Sequence, residues 1–292
     1  MIQAGPHLRT RAEGLASVLP PLLAEAEHLA STVMLGAHGR RRAGMGDEFW
    51  QYRPIAQGDE ARMIDWRRSA RSDVHFVREK EWQAAQSVVI WVDGSKSMGF
   101  TGDKNRATKA DRARLLALAL SVLLVRGGER VGLSNLGAPP RGGPVHLVRL
   151  AEAQTGELSD ADYGLPETPG LPFHARALLL SDFMGDNSGV EAALGKAADR
   201  GVRGALVQVL DPVEESFPFD GRTIFESMGG TLSHETLKAG ELKGRYLERL
   251  AERKDRLERL CREAGWLYTC HQTGDSANAA LLWIYAALER KR

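Results

Sequence analysis

From Val88 onward the chain alternates short apolar runs with longer segments of helical period. VVIWV, residues 88 to 92, is rich in β-branched residues and predicts a buried strand. Residues 108 to 126 predict a strongly apolar helix that stops at Gly127-Gly128. RVGLSNL (130 to 136) predicts a second strand, and HLVRL (146 to 150) either a further short strand or the start of a helix. The stretch from Thr155 to Pro172, with Gly and Pro throughout, reads as loop. ARALLLSDF predicts a strand ending at Ser181-Asp182, residues 188 to 200 a helix closed by Gly201, and ALVQVLD the next strand. FPFDGRTIFES predicts a hairpin around Asp220-Gly221. A long charged helix over 242 to 264, apolar at Leu250, Leu257 and Cys261, stops at Gly265. WLYTCH and residues 276 to 290 supply a last strand and helix. Upstream, Leu15, Val18, Leu22, Leu29 and Val33 recur at helical spacing within residues 11 to 35, interrupted or restarted at Pro20-Pro21. Strands alternating with helices predict an α/β fold, a mainly parallel central sheet with helices on both faces, preceded by an N-terminal helical and irregular segment.

Composition narrows this picture little. The 292 residues are 43% hydrophobic and 26% charged, the profile of an ordinary globular chain. A net charge of +1 speaks against a generally basic nucleic-acid binder. Cys261 and Cys270 are the two cysteines, with no metal-like spacing, which fits a reducing compartment and a cytoplasmic location. The N-terminus has no apolar signal region, and the longest apolar run, residues 115 to 125, falls short of the ~20 residues of a membrane-crossing helix. The expectation is a soluble protein without a membrane span.

Two predicted strands end in a carboxylate, the first at Asp93 and another at Asp182. Ser95 and Ser97 follow Asp93 at alternate positions, and Gly94 permits a sharp turn. In a parallel sheet, ligands gather beyond the carboxyl ends of the strands where strand order reverses. If the two strands are neighbours, Asp93, Ser95, Ser97 and Asp182 form a hard oxygen set suited to Mg²⁺. The competing reading is that Asp93 and the serines merely cap a helix or close a turn.

Asp93-Gly94-Ser95-Lys96-Ser97 resembles the DxSxS motif of von Willebrand factor A domains, which carry a metal-ion-dependent adhesion site. The stretch before it is more specific: Glu48-Phe49, Arg53, Gly58-Asp59, Arg62, Ile64-Asp65-Trp66, Ser69-Ala70 and Val77-Arg78-Glu79. With these tokens the chain resembles the bacterial "domain of unknown function 58" family over residues 44 to 99, and the looser A-domain pattern runs to the C-terminus. The resemblance implies a von Willebrand factor A-like, Rossmann-type domain over residues 86 to 292. A signature segment, residues 46 to 85, would pack on it, after an N-terminal helical segment and basic connector, residues 1 to 45. It implies that Ser95 and Ser97 bind the metal directly, Asp93 directly or through water, and that Asp182 matches the later acidic position. A threonine between Leu136 and Ala175 should complete the cage, yet Thr155 and Thr168 lie in a poorly patterned segment. The resemblance also implies a protein partner, a MoxR-type AAA+ ATPase, and no small-molecule substrate.

Residues 40 to 80 interleave arginines with acids, and Trp50 and Trp66 lie among them. Mixed charge of this kind commonly means a solvated, self-paired surface. Arginine and tryptophan are also the side chains most enriched at interface hot spots, which makes Arg53, Arg62, Trp66, Arg67, Arg68 and Arg71 candidate partner-binding residues. His174, His234 and His271 are isolated in sequence, and no G-x-S-x-G, P-loop or GxGxxG is present. The expectation is therefore a non-enzymatic binding module. A metal-dependent hydrolase or phosphatase using Asp93 as nucleophile and a metal-free A-domain scaffold are the alternatives.

Overall fold

Each apolar run downstream of Val88 becomes a strand or helix that buries the side chains its pattern points inward. The computed structural model describes residues 21–37, 49–55, 64–70, 74–80, 85–166, 171–230 and 233–289. The chain divides into two units, Ala37–Ala85 and the remainder.

The helix α1 (Pro21–Ala37) precedes the smaller unit and belongs to the larger one through most of its length. Within the smaller unit, β1 (Phe49–Pro54) pairs antiparallel with β2 (Phe76–Lys80), placing Arg53 opposite Val77. Between them lies one helical turn, α2 (Trp66–Ser69), capped by the Asp65 carboxylate, which accepts from the Arg68 N–H at 3.0 Å. Ser69 fastens this turn to the hairpin: its hydroxyl donates to the Asp65 carbonyl and accepts from the Phe76 N–H, both at 2.8 Å.

The larger unit continues with β3 (Ser87–Val92), α3 (Lys109–Arg126), β4 (Arg130–Leu133) and α4 (Pro144–Ala153). Next come β5 (Arg176–Ser181), α5 (Ser188–Asp199), β6 (Arg203–Leu210) and the short α6 (Pro212–Ser216). A hairpin of β7 (Thr223–Glu226) and β8 (Ser233–Thr236) leads to α7 (Ala239–Glu263), β9 (Leu267–Gln272) and α8 (Ala277–Glu289). Five strands form an all-parallel sheet in the order β4-β3-β5-β6-β9. Along β3, Val88 and Ile90 enter one core while Val89 and Trp91 enter the other, so the strand is apolar on both faces because both faces are covered. Helices α1, α3, α4 and α8 supply the first core; α5 and α7 supply the second.

Local chemistry explains the ends of these elements. Thr108 starts α3 with a reciprocal capping box to Asp111, and Gly201 and Gly265, at φ of 63° and 70°, follow the last turns of α5 and α7. The apolar run of residues 115 to 125 is core helix, and no helix among the described residues is long and apolar enough to cross a membrane.

Two details differ from the sequence pattern, and a third decides between alternatives it left open. Residues 146 to 150 are helix, because Pro144 opens α4 after Gly143 at φ 94°. The second strand stops at Leu133, where residues 134 to 136 make a 3-10 turn closed by left-handed Gly137. The hairpin turns between Glu226 and Ser233, whereas Asp220-Gly221 stands at its entrance. There left-handed Gly221 brings its carbonyl to the Ala239 N–H at 2.9 Å and ties the hairpin to the start of α7.

Candidate functional site

The chain leaves β3, forms β4 on one side, and returns to form β5 on the other, so strand order reverses between β3 and β5. Their register runs from Val88 opposite Arg176 to Val92 opposite Leu180, which ends both at the same edge. Asp93, Ser95, Ser97 and Asp182 all lie at that edge and are all buried. The Asp93 N–H still donates to the Leu180 carbonyl at 2.9 Å, so the carboxylate leaves the sheet at its last hydrogen bond.

Asp93 Oδ1 accepts from the Ser95 N–H at 2.8 Å, closing the turn that Gly94 allows. Asp93 Oδ2 accepts from the Ser181 hydroxyl at 2.6 Å, a contact from β5 that the sequence reading did not single out. Turn closure thus accounts for part of the motif, but not for the Ser97 hydroxyl. Ser95 stands where a cap would be, before the 3-10 turn Lys96–Gly99, and makes no side-chain cap. Its Oγ instead lies 3.2 Å from Ser97 Oγ. Among the described residues no cationic side chain pairs with Asp93. Burial raises its pKa above the usual carboxylate range, the Ser181 and Ser95 hydrogen bonds oppose this, and the Asp182 charge adds to it.

Asp182 is held differently. Its Oδ2 accepts from Lys109 Nζ at 2.9 Å and its Oδ1 from the Met184 N–H at 3.0 Å. Lys109 also reaches Glu214 Oε1 at 2.6 Å, with its side chain 2% exposed. Burial works against the ammonium, but Asp182 and Glu214 outweigh it and hold Lys109 above the ordinary lysine range. Sequence reasoning missed Lys109 and Glu214. Lys109 stands in the charged first turn of α3, which gave it no distinguishing signal in the sequence.

A loop covers the edge. The Gly94 carbonyl accepts from the Ser159 N–H at 2.7 Å, and the Lys96 and Ser97 N–H groups donate to Ala161 and Asp162 carbonyls, each at 2.9 Å. A Cβ on Gly164 would sit 2.1 Å from Asp93 Oδ1, so glycine lets the loop backbone close over the acid. Of the two expected threonines, Thr155 does not stand in this cover. Thr155 donates its hydroxyl to the Glu152 carbonyl at the end of α4, and Thr168 lies outside the described residues. A cleft lined by Arg114, Asn135, Gln154 and Glu157 reaches Asp93 and Gly94 from the β4 side.

These residues suit Mg²⁺ in part. Neighbouring corners of an octahedron with bonds of about 2.0–2.1 Å lie about 3 Å apart, close to the spacing of the two hydroxyls. The carboxylate of Asp93, without a cationic partner among the described residues, lies beside them.

Residues 51–255 match the family described as "Protein of unknown function DUF58". The chain belongs to the DUF58 family. The match takes in both the arginine-rich hairpin and the whole Asp93 edge, including Lys109, Asp182 and Glu214. Uncharacterized protein Rv1480 of Mycobacterium tuberculosis is 26% identical over 73% of this chain and 70% of its own length. Uncharacterized protein Mb1516 of Mycobacterium bovis is similar to the same extent. Among solved structures, an aerotolerance-related membrane protein from Bacteroides fragilis overlaps 70% of this chain and 98% of its own, with TM-score 0.40 and 16% identity. BatB from Bacteroides thetaiotaomicron overlaps to the same extent at TM-score 0.39 and 13% identity. Neither overlap is close enough to bear on this chain.

In the DUF58 signature segment, Trp66 is 59% exposed, and Arg67 and Arg68 are exposed beside it. Trp66 meets His75 edge-on at 5.5 Å, and Arg68 lies over the Phe76 ring at 5.6 Å. Arg53 stands in β1, while Arg62 and Arg71 lie outside the described residues.

Proposed function

We propose that this DUF58 protein is a non-enzymatic, cytoplasmic protein-binding module with two working surfaces, a Mg²⁺-assisted Asp93 edge and the Arg/Trp segment. One observation carries the reading: Asp93 is a buried acid with no cationic partner among the described residues, set against two hydroxyls 3.2 Å apart. When bound, Mg²⁺ supplies the missing positive charge and a coordination position for a partner's carboxylate. Ser95 and Ser97 hold the ion, while the Ser95 N–H and Ser181 hydroxyl orient the Asp93 carboxylate. The loop of residues 157 to 164 covers the edge, and a partner has to move it aside. Exposed Trp66, Arg67 and Arg68 support docking through the signature segment. The choice of a MoxR-type AAA+ ATPase, in an assembly or chaperone-like role, rests on the family resemblance.

The test is capture of a purified MoxR-type ATPase with and without chelator, alongside thermal unfolding in Mg²⁺ or Mn²⁺. Metal should raise Tm by mass action and Ser95→Ala should remove that response. Arg67→Glu with Arg68→Glu should weaken capture with Tm nearly unchanged, because exposed charges contribute little stability. Capture that survives loss of both surfaces would end the reading. Metal-dependent phosphate-ester turnover abolished by Asp93→Asn would replace it with the hydrolase.

A further inference from the structure

We infer that Lys109 is a resident cation that removes Asp182 from the metal-ligand set, leaving a divalent ion to Asp93, Ser95 and Ser97. The inference rests on the metal reading above and deepens it by assigning each acid its own counter-charge.

Saturation of Asp182 is the first observation. One oxygen accepts from an ammonium at 2.9 Å, the other from a backbone N–H at 3.0 Å. Lys109 is also fixed from its far side. Glu214 takes Nζ at 2.6 Å with one oxygen and the Asp211 N–H at 2.8 Å with the other, inside the capping box of α6. Swinging the lysine away would strand Asp182 and Glu214 as buried charges, which is strongly disfavoured. A divalent ion on Asp182 would meet the ammonium as a like charge between two buried side chains.

Asp93 has the complementary arrangement. Its donors among the described residues, the Ser181 hydroxyl and the Ser95 N–H and hydroxyl, are neutral. Asp93, Asp182 and Glu214 bring three carboxylates to this edge, and Lys109 brings one ammonium. One of the two uncompensated negative charges is that of Asp93 and the other belongs to the Asp182–Glu214 pair that shares Lys109, so Asp93 is the acid of this group with no ammonium beside it among the described residues. Lys109 is thus a positioning residue: it sets which acid the ion meets.

Calorimetric titration of the full chain with MgCl₂ and MnCl₂, with urea unfolding of each variant in parallel, tests the assignment. Asp182→Asn keeps the Lys109–Glu214 pair and should bind within about threefold of wild type, whereas Ser95→Ala should lose about tenfold or more, the usual scale for a disrupted site. A loss of about tenfold or more in cooperatively folded Asp182→Asn would overturn the inference and leave the metal reading intact. Lys109→Met combined with Glu214→Gln removes one charge of each sign and frees Asp182, so affinity should rise about tenfold or more. Unchanged or weaker binding in that folded variant would also overturn it. If wild type binds no metal but the double variant does, and Asp182→Asn on that background abolishes it, the metal reading falls and the Lys109 assignment stands. Absence of binding in both sinks both.

Discussion

His271 shows how one buried side chain makes the stability of this protein depend on pH. It lies in β9, 6% exposed, with Nε2 3.3 Å from Arg112 Nη1. A guanidinium only donates, so the imidazole must accept and be neutral. Burial, then the Arg112 charge, pull its pKa down to about 4. The folded state refuses a proton that the unfolded chain accepts near the ordinary value of 6.5. The contribution is therefore complete above about pH 6.5 and is lost as pH falls to about 4, a change of roughly 2–3 kcal/mol. Urea midpoints at pH 7, 5.5 and 4 should show a shallower decline in His271→Gln than in wild type. Parallel declines would mean that His271 titrates normally in the folded chain.

Among the elements, the loops that follow β3 and β6 and the loop that follows β9 are joined through one carboxylate. Asp211, fully buried, caps α6 through the Val213 N–H at 2.9 Å and accepts from Arg106 at 3.2 Å and the Thr273 hydroxyl at 3.2 Å. Asp211→Ala removes the cap and leaves Arg106 with only its 4.0 Å approach to Asp103, and should cost about 2–3 kcal/mol. Thr273→Val, losing one hydrogen bond, should cost about 1 kcal/mol. Urea unfolding that finds the two equal would show that the three loops are independently anchored. The elements also show what can be read along a chain. The carboxylates of Asp93 and Asp182 were legible because each terminates an apolar strand, and the signal lies within a few residues. Lys109 was not, because its partners stand 73 and 105 residues away and its own neighbourhood reads as the polar first turn of a helix. The tip of the β7–β8 hairpin was misplaced because Asp-Gly supplies a left-handed turn at any sharp reversal, here the junction with α7.

For the molecule as a whole, α1 belongs to the main core although the signature segment separates it from β3 in the chain. Leu23, Ala26, Leu29, Ala30 and Val33 are buried there, and the Thr32 hydroxyl reaches Asn278 of α8 at 2.7 Å. Leu23→Ala should cost about 2–5 kcal/mol in urea unfolding, as a filled core position does. A cost of a few tenths would mean that the helix contributes little to the fold. In sequence the smaller unit, residues 37–85, is consequently an insertion between α1 and β3 of the larger one. The entropy of closing such an insertion grows as the logarithm of its length, so each doubling costs only about 0.6 kcal/mol. A change in the length of the insertion therefore costs little closure entropy, and the sequence of the insertion and that of the sheet can diverge at different rates.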